Sequence, residues 1–432
     1  MTAGLASRRA ALTGLDAVLD QSRSIEDALD AAPGHAGLPA PDRGFARAML
    51  ATLFRRKGQS EAALSALLSK PWAETPPIAR RLLLLGATQL LWLDAAPHAV
   101  VATTVELAEA DPVGRKVKGL INAVLRRLAE RRDEFREMTP ARANLPAWLA
   151  ESWTTAYGED GLDAIAEALL EEAPLDLTLK PGEDADAWAE RLGAERLPTG
   201  SLRLHKAGPV PALDGFDEGA WWVQDAAAAL PAVLLAPQAG EAVADYCAAP
   251  GGKTLQLAAA GAEVTALDIS KPRLRRLSEN LQRTGLEAEI VTGDLRRYTP
   301  AKPFDAILLD APCSASGTAR RHPETGWIKT PRDMTRLSQV QRELGGLAAD
   351  HLRPGGRMVI CTCSLQPEEG ELWLDDLLQA RPDLQLDPVR AEELPGLEAA
   401  RLENGAVRTR PDQWNERGGL DGFFMARLRR KA

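Results

Sequence analysis

A chain of 432 residues has room for two or three domains at about 150 residues each. Its composition, 45% hydrophobic and 26% charged, is that of packed soluble domains and excludes wholesale disorder or a low-complexity chain. The formal net charge of −9 gives the whole chain no electrostatic bias toward nucleic acid, but residues 1–140 carry 19 Lys/Arg against 16 Asp/Glu, so the front end is the expected place for a polyanion.

The longest nearly apolar stretch, Leu82 to Leu93, is twelve residues with Thr88 and Gln89 inside it, short of the roughly 18 that span a bilayer. Asp16 and Asp20 interrupt the place where a signal peptide needs an apolar core. No membrane partner and a cytoplasmic location are therefore expected. The four cysteines, at 247, 313, 361 and 363, are too few and too oddly spaced for a disulfide framework. They contain no CxxC pair, so no metal site is expected.

From Arg8 to about Met138, apolar residues recur at three- and four-residue spacing between short Pro and Gly breaks, which predicts an all-helical bundle over 1–140. Its last helix carries Arg115, Lys116, Lys118, Arg126, Arg127, Arg131, Arg132 and Arg136 and is expected to pack through Leu120, Ile121, Val124, Leu125 and Leu128. Its cations are either a solvated face or a contact to RNA phosphates. Residues 141–225 mix short helices with strand-like PLDLTLKP and SLRLHK, predicting a small α+β insert. Trp221 and Trp222 near its end are expected to pack rather than stack on bases.

From Gly240 strands and helices alternate regularly, so residues 226–432 are predicted to form a doubly wound α/β domain with a mostly parallel sheet and GFFMARLRR as an antiparallel closing strand. Ligands in such sheets gather at the carboxyl ends of strands. The first strand runs into Cys247-Ala248-Ala249-Pro250-Gly251-Gly252-Lys253 before a helix. A P-loop would need Gly at position 247, and a dinucleotide fingerprint would need GxGxxG, so neither fits. Asp268, after the second strand, stands where ribose hydroxyls are bound, and Asp294, after the third, where an adenine would lie. A nucleoside ligand without a pyrophosphate, such as S-adenosylmethionine, satisfies these features.

The next two strands end in Asp310-Ala311-Pro312-Cys313 and Thr362-Cys363, so two thiols are expected to face one cavity. Thiolate addition to C6 of a cytosine turns C5 into an enamine carbon that can attack a methyl sulfonium, and Asp310, Cys313 and Cys363 are the residue types such chemistry needs. Cys361 reads as a buried apolar residue. The run Arg320-Arg321-His322 is expected in a mobile loop, with no catalytic part for His322.

The motifs DYCAAPGGKT, DAPCSASGTARRHPE and CTCSLQPEE together resemble the RNA cytosine-C5 methyltransferase family, and RRHPE…W with a helical front end is similar to its RsmB type, which modifies small-subunit (16S) ribosomal RNA. The front bundle, through LINAVLRRL, resembles the NusB family of RNA-binding helical domains. The resemblance implies a Rossmann-like fold that uses S-adenosylmethionine on RNA. It implies that Cys363 attacks C6, that Cys313 assists product release, and that Asp310 orients the base with help from Lys253. It also implies that residues 247–253 with Asp268, Asp294 and Asp310 line the cofactor site. Spacing alone does not say which cysteine attacks. PLDLTLKP departs from the Arg-Val-Asn strand end common in that family, which leaves RNA contacts there open. A monomer is expected. The alternatives are a non-catalytic RNA-binding or ribosome-assembly factor on the same scaffold, for which two strand-end thiols have no use, and exocyclic amine methylation, for which DAPC is the wrong motif.

Overall fold

The structure, a computed structural model, describes residues 4–432, and the chain forms two compact units. One runs to Glu171 and also takes Ala319–Thr330; the other comprises Glu172–Thr318 and Pro331–Ala432.

Among the described residues, the first unit begins with α1 (Leu5–Gln21), α2 (Ile25–Asp30), α3 (Ala40–Arg55), α4 (Lys57–Ser65), α5 (Pro77–Leu91), α6 (Pro97–Ala110), α7 (Gly114–Glu130), α8 (Arg132–Glu137) and α9 (Ala147–Ala168). Helix α5 holds most of the apolar stretch noted above, and every residue from Leu82 to Leu91 is buried. Its polar residues are satisfied locally: Thr88 Oγ1 donates to the Leu84 carbonyl at 2.9 Å, and the Gln89 amide donates to Leu85 while accepting from Arg8 Nε at 2.7 Å. Gly86 lets α7 close in, because a Cβ there would lie 2.7 Å from Leu125.

The single basic helix expected over 115–136 is two helices, broken at Arg131, whose φ of −121° departs from helical geometry. Ile121, Val124, Leu125 and Leu128 form the buried stripe, but Leu120 lies one step outside it and is 37% exposed.

In the second unit, β1 (Leu175–Leu179), α10 (Ala185–Leu192), β2 (Glu195–Arg196), β3 (Leu202–Leu204) and β4 (Trp221–Val223) make a small antiparallel sheet of order β2-β3-β1-β4. The helical first part of the expected 141–225 insert thus belongs to the helical unit, and its strands belong here. The small sheet is anchored by the fully buried pair Asp176–Arg203 at 2.7 Å, whose guanidinium also donates to the Gly419 carbonyl at 2.6 Å.

The rest follows in chain order as α11 (Ala226–Leu235), β5 (Ala242–Tyr246), α12 (Gly252–Ala259), β6 (Glu263–Asp268), α13 (Lys271–Thr284), β7 (Glu289–Thr292), β8 (Phe304–Asp310), α14 (Thr325–Ile328, within the helical unit), α15 (Pro331–His351), β9 (Leu352–Thr362), α16 (Glu371–Ala380), β10 (Leu384–Leu386), β11 (Val407–Thr409) and β12 (Phe423–Arg430). The large sheet has the order β10-β12-β9-β8-β5-β6-β7, with β11 on β12. Strands β9, β8, β5, β6 and β7 are parallel, and β12 is antiparallel to β9.

Both sheet faces are buried, with period-two alternation. Ala306, Leu308, Val359 and Cys361 pack into one core, and Ile307, Leu309, Met358 and Ile360 into the other. The strand order reverses between β5 and β8, so a crevice opens at their carboxyl ends, and the residues there are the ones available to a ligand.

Candidate active site

After β5 the chain turns through Cys247, in the left-handed region at φ 61°, to Gly251 at φ 113°. Only glycine suits position 251, since a Cβ there would meet Leu277 at 2.8 Å. Asp245 inside β5 is fully buried; its Oδ2 accepts from Thr254 Oγ1 at 2.6 Å, its Oδ1 has no hydrogen-bond partner among the described residues, and burial pushes its carboxyl up to about 7. Asp268, at the end of β6, accepts from the Ala249 amide at 3.1 Å and the Ser270 amide at 2.7 Å, and Arg273 lies 3.7 Å away and donates to the Ala249 carbonyl. It is therefore a tie between two loops as well as a wall of the cavity.

A cavity of about 180 Å³ opens here, lined by Cys247, Asp268, Ile269, Arg273, Asp294 and Leu344, among others. The residues fit an adenosyl group. Two carboxylates can accept from hydroxyls and an amine, and Ile269, 71% exposed, with Leu344 bounds the cavity with apolar surface suited to a flat ring. Ile269 and Arg273 escape sequence reasoning, although the position of Ile269, directly after a strand-end acid, was a usable signal. Burial pushes the Cys247 thiol up, so it stands as a neutral wall residue.

The two strand-end thiols meet. Residues Asp310 of β8 and Cys361 of β9 are register partners, and just beyond them Cys313 Sγ and Cys363 Sγ lie 3.4 Å apart. Both are partly exposed. The hydrogen bond with Cys363, followed by burial, holds the Cys313 thiol well above the ordinary cysteine range. Lys253 Nζ, from the first turn of α12, binds Asp310 Oδ2 at 2.8 Å and lies 5.2 Å from the centre of the Phe423 ring. Burial is the largest influence on the Lys253 ammonium and would lower it, but the charge and hydrogen bond of Asp310, together with Cys361 and Asp245, outweigh it and leave the group raised and cationic. Cys361 is fully buried, as expected of an apolar residue, yet its thiol also points at Asp310 Oδ1, 3.6 Å away.

Trp221 and Trp222 are buried in packing clusters. The expected mobile loop at 320–322 is instead part of the helical unit. The Arg320 side chain is buried, its carbonyl accepts from Arg55 at 2.8 Å, Glu324 Oε1 accepts the Ile25 amide at 3.1 Å, and Trp327 Nε1 donates to Phe54 O at 3.2 Å. A polar composition suggested exposure, but buried partners from α2 and α3 absorb those polar groups.

A reversed strand order, a glycine-bounded turn beside a cavity whose residues fit an adenosyl group, and a paired thiol site are the features of an S-adenosylmethionine-dependent methyltransferase, and the relatives of the chain make RNA its substrate class. The chain belongs to the family described as 16S rRNA methyltransferase RsmB/F, whose model matches residues 232–429, and residues 5–130 match the NusB family. It is 35% identical over 441 residues to ribosomal RNA small subunit methyltransferase B of Shigella flexneri, covering 98% of each chain. Its fold is that of the crystal structure of PH0851, with a TM-score of 0.75 and 24% identity over 98% of each chain. It also resembles NSun6 from Pyrococcus horikoshii with SFG, with a TM-score of 0.58 and 21% identity, covering 66% of this chain and 98% of that one.

Proposed function

We propose that this protein methylates C5 of a cytosine in small-subunit (16S) ribosomal RNA, acting as a cytoplasmic monomer without a metal, through a covalent bond between Cys363 and C6 of the base. The observation that carries this reading is the 3.4 Å approach of two partly exposed thiols beside the Lys253–Asp310 pair. Cys313, its thiol held protonated, can donate to the Cys363 sulfur across this contact, which suits Cys363 as the attacking group.

Cys363 adds to C6, and the electron pair of the C5–C6 double bond moves so that C5 becomes nucleophilic. S-adenosylmethionine, which residues 247–253 with Asp268, Asp294 and Asp310 would hold, would supply the methyl group as an electrophilic sulfonium substituent and leave as the neutral thioether S-adenosylhomocysteine. Loss of the C5 proton to a solvent base, with its electron pair re-forming the C5–C6 double bond and expelling Cys363 as a thiolate, then restores the aromatic ring, with Cys313 assisting that release. Asp310, held by Lys253, faces the exocyclic amine and orients the base. The target cytosine must leave its stack to reach these groups.

The test is incubation of the protein with S-adenosylmethionine and unmodified small-subunit ribosomal RNA, with mapping of 5-methylcytosine at nucleotide resolution. One modified site, lost in Cys363→Ala and converted to a denaturation-resistant RNA–protein adduct in Cys313→Ala, is the expected result. N4-methylcytosine in its place would overturn the C5 assignment.

A further inference from the structure

Behind the two thiols lies a buried polar network that the methyl-transfer chemistry does not itself use. Glu369, in the turn between β9 and α16, is fully buried. Its Oε1 accepts from the Ser314 amide at 2.9 Å and its Oε2 from Ser314 Oγ at 2.5 Å, while Gln341 Nε2 reaches Oε1 at 3.3 Å and donates to the Pro312 carbonyl at 2.9 Å. Ser314 Oγ lies 3.2 Å from Ser364 Oγ, and Ser316 Oγ lies 3.3 Å from the same atom. The Gly317 amide donates to the Cys363 carbonyl at 3.0 Å. Thus the residue after each thiol joins one cluster, and Glu369 grips the Cys313 side of it by both backbone and side chain.

A carboxylate taken out of water is costly unless it is fully hydrogen-bonded, and removing its partners leaves an uncompensated group. Burial pushes the Glu369 carboxyl up, and its donors from Ser314 act against that. A purely packing role is filled more cheaply by an apolar residue, so the geometry points to what the acid holds. We propose that Glu369 is a positioning residue for the thiol pair: through Ser314 it holds Cys313 against Cys363, and so it sets the rate at which methylated RNA leaves the enzyme. This rests on the release role of Cys313 proposed above.

The experiment compares Glu369→Gln, Ser314→Ala and Cys313→Ala in the full-length protein with S-adenosylmethionine and small-subunit ribosomal RNA. It reads cofactor binding, adduct formation in a single turnover, and the lifetime of the denaturation-resistant adduct. In Glu369→Gln the two Ser314 donors face one carbonyl oxygen and one amide nitrogen, so the grip loosens without loss of volume. The expected result is wild-type cofactor binding and adduct formation with an adduct that persists about tenfold longer or more, and a smaller effect in the same direction in Ser314→Ala. Wild-type adduct lifetime in Glu369→Gln overturns the proposal, as does a fall in adduct formation that matches the fall in turnover. Should Glu369→Gln fail to bind cofactor, an unchanged adduct lifetime in Ser314→Ala overturns it and a lengthened one supports it. Failure of Cys313→Ala to accumulate adduct overturns the underlying reading of Cys313, which is distinct from accumulation in that variant with none in Glu369→Gln.

Discussion

The helical unit and the α/β unit put charge to opposite uses. On α7, Arg115, Lys116, Lys118, Arg126 and Arg127 stand in water above a buried stripe of Ile121, Val124, Leu125 and Leu128. In the α/β unit, Asp245, Lys253, Asp268 and Glu369 sit at or near strand ends with less than a tenth of their surface exposed. Charge in water costs little to place, is screened within about a Debye length and acts additively, which suits attraction to a phosphate chain. Charge out of water is costly unless paired, and each group then matters through geometry. Substitutions in the two regions should therefore differ in size and in kind.

The largest effect is expected at the thiol pair. Cys363→Ala should lower methyl transfer by on the order of 10⁴-fold or more while leaving cofactor binding intact, as expected when a nucleophile is removed from a group of residues that act as a unit. Single-turnover assays with equilibrium binding of the cofactor separate the two quantities. A loss of binding in proportion to activity would mean that the thiol supports the fold rather than the reaction.

Next is the interior pair that anchors the small sheet. Arg203→Met removes the charged partner of the fully buried Asp176 and should cost about 3–5 kcal/mol in chemical denaturation of the α/β unit. An equivalent change at an exposed pair such as Lys118–Glu109 should cost about 1 kcal/mol or less.

Asp245 sharpens the contrast through pH. Its folded carboxyl titrates at about 7 against 3.8 when unfolded, so its contribution to stability is fully present below about pH 3.8 and is lost as pH rises toward 7. Asp245→Asn keeps an acceptor for Thr254 and does not ionise. Its stability relative to wild type should rise between pH 4 and 7 and level off above, by a change on the order of 4 kcal/mol. Parallel stability curves for the two proteins across that range would show that Asp245 is ionised in the folded state throughout.

The smallest effect on stability, and one seen only in binding, belongs to α7. Lys116→Glu with Arg126→Glu should shift stability by about 0.5 kcal/mol or less. The double substitution should weaken RNA binding and flatten the slope of its logarithmic salt dependence by about 0.7–0.9 for each phosphate that is no longer neutralised. Methyl transfer at saturating RNA should be unchanged. Unaltered affinity and salt slope would remove α7 from the RNA-binding surface.

Much of the candidate site was legible before the fold. Strand ends are marked by a change from apolar runs to polar residues, and that local signal located Cys247, Asp268, Asp294, Asp310, Cys313 and Cys363. Helical periodicity separated the bundle from the α/β region. What escaped was decided by partners distant in sequence. The Arg320–Trp327 segment reads as a polar loop, but Arg55, Ile25 and Phe54 take up its polar groups in the helical unit. Leu120 reads as core because its neighbours are core, and a single helical step puts it outside the stripe. Glu369 carries no mark in a run that ends PEE, and only its approach to Ser314, 55 positions away, distinguishes it from Glu368.

The sequence by itself determined most of the elements, the order in which strand and helix alternate in the α/β region, and the set of residues placed at strand ends, because these follow from periodicity and turn chemistry within short windows of chain. Tertiary structure alone decided which strand ends are neighbours. The parallel register that pairs Asp310 with Cys361 brings two thiols fifty residues apart to 3.4 Å, and it sets a buried glutamate behind them. Such distances depend on register and on desolvation, and no local pattern of residues encodes either.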